Sequence, residues 1–304
     1  MLSIGEVSEI FYLCDEYSKE FASIVSKHQL TTGVGKRHRN KPNRMSDSEV
    51  MTILIAFHLS GMRNLKHYYL FYVCKHLNPE FPRLVSYTRF VELQQRVCIP
   101  LVLFLKTCRM GKCTGISFID STTLKVCHIK REHSIGETTF KGIATKGCGS
   151  LGWFFGFKLH IIINDRGEII SFVITQGNVD DRKPLSMESF IEKVSGKLYA
   201  DRGYISQKLA EILFVDGIHL VAKMRNNMKG GELPLYDRLM LRKRAVIESV
   251  NDELKNICQI EHSRHRSFSN FITNLIAGLL AYSFLPKKPS IKVDFVDSKQ
   301  LMLF

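Results

Sequence analysis

Three carboxylates stand where they could work together. The apolar pair Phe118–Ile119 ends on Asp120, followed at once by Ser121 and Thr122. A second short run, Lys197 to Ala200, ends on Asp201 before Arg202, Gly203 and Tyr204. The third, Glu248, lies in a helical stretch from Arg244 to Lys255. Three hard oxygen donors without paired His or Cys suit Mg2+, with Mn2+ as a substitute, better than zinc. Two such ions about 4 Å apart activate a water or a 3′-hydroxyl and stabilise the departing oxygen of a phosphodiester. The chemistry is hydrolysis followed by in-line transesterification, without a covalent protein intermediate.

These residues need elements that aim them. Under the two-residue strand period Ile116, Phe118 and Asp120 share a face, as do Tyr199 and Asp201. If the two strands are neighbours, both aspartates emerge side by side near the strand C-termini, where open α/β sheets place their crevices. Arg244, Glu248 and Lys255 line one helix face, with Asn251 and Asp252 close by. Plainer readings exist for each. An aspartate after a strand often caps the next turn, which Asp201 can do, and Glu248 has the charged neighbours of a surface residue. Asp180 and Asp181, after Gly177–Asn178–Val179, form a rival pair, ranked second because they follow an outer strand.

Basic residues surround this pattern. Arg244 and Lys255 are placed to neutralise a phosphate. Lys158 and His160 alternate away from the apolar residues of their strand and are candidates to face DNA, a structural role for His160 being equally open. Arg242 and Lys243, then Arg264, His265 and Arg266, extend the basic surface. Lys36, Arg37 and Arg39, with Lys41 and Arg44, make either a phosphate-gripping arm or a solvated linker. The 304-residue chain carries 43 Lys and Arg against 29 Asp and Glu, a net +14 that attracts polyanions.

Eight cysteines without a CxxC pair read as reduced thiols in a reducing, cytoplasmic compartment. Cys127, His128, His133 and Cys148 do not have zinc-finger spacing, and a zinc site is set aside. Glu6, Glu9, Asp15 and Glu16 interrupt the apolar residues that a secretory signal needs at the start. The most apolar stretch, Phe271 to Leu285, is shorter than the roughly 20 residues of a membrane span. It reads as a buried helix.

In chain order, residues 1–110 read as helical, with a capping box at Ser46 and Glu49 ahead of an apolar run. From Thr114 the texture changes. Strands are expected at 116–120, 153–163, 169–175, 198–201 and 218–224, the second and third joined by a turn at Asn164–Gly167. Helices are expected at 184–194 and 206–215, one long helix over about 236–258, and a last one over 268–285. The polar segment 125–150 shows no strand pattern. The fold class is α/β: a ribonuclease H-like mixed five-stranded sheet flanked by helices, with an N-terminal all-helical domain. The organisation is a helical domain at 1–110 for DNA binding, dimerisation or both, a catalytic domain at 111–290, and a tail at 291–304.

Several stretches together resemble the DDE transposases of bacterial insertion sequences, specifically the IS982 family. They are Phe118 to Thr122, Gly152 to His160, Thr175 to Arg182, Tyr199 to Tyr204 and Leu241 to Lys255, with similarity running on through Ile260 to Ser267 and back to the capped helix at 46. The resemblance implies that Asp120, Asp201 and Glu248 form the metal-binding triad. It also implies binding to terminal inverted repeats, strand transfer into target DNA, a dimeric synaptic assembly and a bacterial, nucleoid-associated location. The wider group's Tyr–Arg–Glu–Lys pattern is met by Arg244, Glu248 and Lys255, with Leu241 at the tyrosine position. The other readings are a ribonuclease H-like nuclease that cuts without joining, and a catalytically inactive DNA-binding regulator.

Overall fold

A computed structural model describes residues 2–28, 43–133, 139–149, 152–223, 233–261 and 267–292. Lys36, Arg37 and Arg39 of the basic arm lie outside the described residues, as do Arg264, His265 and Arg266. The chain forms two compact units, each assembled from separate stretches. The first takes Met1–Arg109, Leu124–Ala144 and Asp252–Leu285; the second takes Met110–Thr123, Thr145–Asn251 and Pro286–Phe304.

The first unit is helical up to Arg109 among the described residues: α1 (Ile4–His28), α2 (Asp47–Leu59), α3 (residues 65–76), α4 (Tyr87–Arg96) and α5 (Cys98–Phe104). Ser46 and Glu49 close the expected capping box at the start of α2, satisfying two orphan amides reciprocally. Val50 to His58 are all buried, so α2 is a core helix apolar on every side. The late apolar stretch contributes a second such helix (Phe268–Phe284) to this core, capped by Ser267, and α2 packs on it. His58 is wholly enclosed, its Nδ1 2.5 Å from the Cys258 carbonyl, and burial pushes its pKa down to about 4. No described helix is long and apolar enough to cross a membrane.

The second unit holds a mixed sheet of six strands, one more than the five expected: β1 (Ile116–Cys127, whose last residues leave this unit), β2 (Thr145–Gly149), β3 (Gly152–Asn164), β4 (Ile169–Gln176), β5 (Gly196–Ala200) and β6 (Ile218–Ala222). The path runs β2-β3-β1-β5-β6, and β4 also pairs with β3. The unexpected strand is β2. It pairs antiparallel with residues 152–156 of β3, while β4 pairs with residues 157–163 of the same strand. The two meet end to end at Gly177, where a β-carbon on Gly147 would run into the Gly177 carbonyl. The hairpin turn expected after β3 is present. Asn164 Oδ1 accepts from the Arg166 and Glu168 amides, and Gly167 takes a positive φ of 71°.

The helix expected at 184–194 is instead a 3-10 turn at Lys183–Ser186 and a single helical turn at Glu188–Ile191, with Met187 extended between them. The segment 206–215 is helical as expected, as α6 (Gln207–Val215). The long helix expected at 236–258 is two, α7 (Leu235–Lys243) and α8 (Ala245–Asn256), broken at Arg244. One sheet face is buried under Leu185, Phe190, Tyr204, Leu209 and Leu213, which pack with Ile119, Ile162 and Leu198. The other face carries Phe118 and Tyr199, whose rings stack with centroids 5.6 Å apart.

Candidate active site beside two parallel strands

β1 and β5 are parallel neighbours, and Phe118 lies opposite Tyr199. Asp120 follows Phe118 by two residues within β1, and Asp201 follows Tyr199 by two, just past the end of β5. β1 runs on past Asp120 to Cys127, whereas β5 stops at Ala200, and the two like charges stand where the β1–β5 ladder ends. Asp120 is three-quarters enclosed, and its carboxylate accepts from Asn251 Nδ2 at 3.0 Å. Asn251 is on α8, one turn beyond Glu248, so this bond brings the helix of the third carboxylate onto the site. Arg244 spans the two, with Nη2 2.8 Å from Glu248 Oε1 and Nη1 4.0 Å from Asp120 Oδ1.

The electrostatics follow from this crowding. The Asp120 pKa is pushed up to about 6, chiefly by burial; Glu248 and Asp201 push the same way, while Arg244 and the Ser121 amide oppose them. The polar groups around it are incompletely satisfied. Arg244 Nη1 and Asn251 Oδ1 are buried without a hydrogen-bond partner, and a group left so costs stability unless something else meets it. Asp201 accepts from the Arg202 amide and caps the 3-10 turn Arg202–Tyr204, so the capping role read from sequence is real. Only its Oδ1 makes that bond, and its side chain is otherwise exposed. Glu248 is 60% exposed.

The donor set fits a hard divalent cation in chemistry: carboxylate oxygens, excess negative charge and a buried acid with raised pKa. The spacing is looser. Among the described residues no three His, Cys, Asp or Glu side chains close to metal-holding distance of one another, and Arg244 is the cation that links Asp120 to Glu248 here.

The other candidates separate. Lys158 is committed inside the protein, with Nζ donating to the Val179 carbonyl at 2.9 Å and to Asp181 at 3.0 Å. His160 is wholly buried, its Nε2 2.9 Å from Thr175 Oγ1, and burial pushes its pKa down to about 4. In this conformation it presents no surface to a DNA backbone, because the loop after β4 covers the face that alternation left polar. Lys255 falls in the first unit, 3.4 Å from Glu261. Arg242 and Lys243 are exposed on α7, and Lys243 donates to the Lys292 carbonyl. Of the rival pair, Asp180 is clamped by Arg182, which holds its carboxyl down to about 2, and Asp181 pairs with Lys158.

Two neighbours escaped the sequence reading. Tyr204 is buried with its hydroxyl near Ser121, short of hydrogen-bond geometry, and burial raises its pKa; Asp181, Asp120 and Asp201 add to that. Asp237, on α7, is buried and accepts from Lys197 Nζ at 2.7 Å and Tyr199 Oη at 2.8 Å, tying α7 to β5. Lys197 and Tyr199 alternate in phase with Asp201, which was the available signal for the first half of that tie.

The second unit is thus mixed α/β, and it sets Asp120 within electrostatic reach of both Glu248 and Asp201. Residues 110–268, a little over half of the chain, match the family described as "Transposase DDE domain", and the chain belongs to that family. No curated protein matches it. Among solved structures it is similar to one described as "Cryo-EM structure of piggyBac transposase synaptic complex with hairpin DNA (SNHP)", at 11% identity over 92% of this chain and 71% of that one. The TM-score is 0.45.

Proposed function

We propose that this chain is a DNA transposase of the IS982 type, with a ribonuclease H-like core that binds the terminal inverted repeats of an insertion sequence, cuts at their ends and joins the 3′-hydroxyl strands to target DNA. Asp120, Asp201 and Glu248 are the metal-holding triad in this reading, with Mg2+, or Mn2+ in its place, as two bound ions. The ions, when bound, supply the activation of water or 3′-hydroxyl and the charge that the leaving oxygen requires. The observation that supports the reading is the parallel register that sets Phe118 opposite Tyr199, two residues before Asp120 and Asp201, with Asn251 holding α8 against Asp120.

The chain's own residues then have distinct tasks. Asp201 and Asp120 fix the two strand-borne donors on one face, and Glu248 approaches from the helix. Arg244 neutralises Asp120 and Glu248 in the free protein and turns to a DNA phosphate when the carboxylates hold cations, as an arginine suits. Arg242 and Lys243 directly precede Arg244, exposed on α7, and track the DNA backbone; Lys255, Lys36, Arg37 and Arg39 extend that contact. The helices of residues 1–110 bind DNA ends, dimerise or do both, in a homodimeric synaptic complex within the bacterial cytoplasm, at the nucleoid.

Strand joining tests this reading. Pre-cut duplex carrying the element's end is incubated with the protein, Mg2+ and supercoiled plasmid. Covalent end–plasmid products are expected, and their absence beside efficient cutting would leave a nuclease that does not join.

A further inference from the structure

The only tryptophan of the chain, Trp153, is 65% exposed. Tryptophan is highly buried on average, so an indole this open draws attention to its place in the sheet. Trp153 lies opposite Cys148 and Lys146 opposite Phe155, so Lys146, Cys148, Trp153 and Phe155 share one face of the β2–β3 pair. The opposite face of β3 carries Lys158, His160 and Ile162, and Ile162 packs in one core with Ile119. By alternation Trp153 is therefore on the face of Phe118 and Asp120, on the strand next to β1. The last residue of β2 comes close to β1. A β-carbon on Gly149 would lie 3.2 Å from Thr123 Cγ2, three residues past Asp120. The Lys146 ammonium stands 5.9 Å from the indole centroid.

We propose that Trp153 is a stacking platform for an unpaired base of the DNA strand held at the Asp120–Asp201 site, with Lys146 meeting the adjacent phosphate. An indole stacks on any base, and a neighbouring ammonium supplies the backbone attraction that such sites combine with stacking. The charge of the chain favours a polyanion over a second copy of itself as the occupant. This inference rests on the transposase reading, since it names how the same site handles its DNA.

Intrinsic fluorescence tests it in the full-length chain, because every indole photon comes from Trp153. The protein is titrated in EDTA with a dye-labelled duplex whose end is frayed by four mismatches, and with the fully paired duplex. Dye anisotropy reports binding independently. The frayed duplex is expected to quench the indole at least twofold, saturating with the anisotropy. Trp153→Leu is expected to weaken binding of the frayed duplex about tenfold, the size of one lost base–aromatic stack, while the paired duplex changes less than twofold. Binding by anisotropy with unchanged indole emission would overturn the stacking role and leave the transposase reading standing. No binding of either duplex would count against both. Quenching that grows with protein concentration in the absence of DNA would overturn the proposal in favour of a contact between copies.

Discussion

Two carboxylate–cation clusters on the same sheet face have been finished differently. Around Asp237, one buried carboxylate meets Lys197 and the Tyr199 hydroxyl at hydrogen-bond distance, and the charge is settled inside the protein. Around Asp120 the cation stands 4.0 Å off, one guanidinium nitrogen and one amide oxygen are buried unpaired, and the carboxyl is raised to about 6. The first arrangement is a brace. The second keeps residual demand for positive charge and for polar partners, the pattern that functional sites share.

The contrast can be broken from either side. The largest effect is expected from Asp120→Asn or Asp201→Asn, each lowering metal-dependent cleavage of end DNA by at least a thousandfold, on the order of 4 kcal/mol of barrier. Circular dichroism should stay native, and the metal-free melting temperature of Asp120→Asn should be equal or higher, because a crowded buried charge is gone. The brace should respond oppositely. Asp237→Ala strands Lys197 and should cost about 3 kcal/mol in denaturant unfolding, as broken buried pairs do. Below its lowered midpoint, cleavage should persist.

Arg244→Ala sharpens the comparison further. Losing the guanidinium removes a group that holds the Asp120 carboxyl down, so the acid limb of the cleavage pH profile should move to higher pH, with a loss of about tenfold to a hundredfold at neutral pH. The exposed side of the Arg244–Glu248 pair contributes little to stability, about 0.5 kcal/mol. Denaturant midpoints should therefore barely move. Unchanged cleavage and an unchanged pH profile would remove Arg244 from the site.

The smallest effect concerns pH and stability. His58 and His160 are both buried with pKa values pushed down to about 4, whereas an unfolded histidine titrates near 6.5. Between those values the unfolded chain binds more protons than the folded one, so stability is full above about pH 6.5 and falls as pH drops towards 4. His58→Gln should flatten that fall in thermal melts taken from pH 7 to 4.5, although it weakens the bond to Cys258 at every pH. A melt independent of pH over this range in the wild type would contradict the buried neutral histidines.

Much of this was legible in the sequence because it depends on short-range pattern. The capping box at Ser46, the Asn164–Gly167 turn and the strands that lead to Asp120 and Asp201 are local facts, and the folded chain keeps them. What was missed depends on partners. β2 has no apolar alternation and buries only Gly147; it is a strand because β3 offers an edge beyond β4. The break at Arg244 falls on a good helix former, so propensity gave no warning; only the meeting of its guanidinium with two carboxylates explains its position. Lys158 and His160 alternated onto a face that looked solvent-exposed, and the loop at 177–181 covers it. Asp237 lies forty residues from Lys197, beyond the reach of any periodicity.

The measurement that bears most directly on the account is cleavage of a labelled duplex carrying the element's end, with Mg2+ or with EDTA, by the wild type and by Asp201→Asn. The account predicts nicking at the end in Mg2+, none in EDTA, and none from Asp201→Asn although it binds the duplex as tightly as the wild type. Nicking by Asp201→Asn at the wild-type rate would contradict it, leaving Asp201 as the cap of its turn and nothing more.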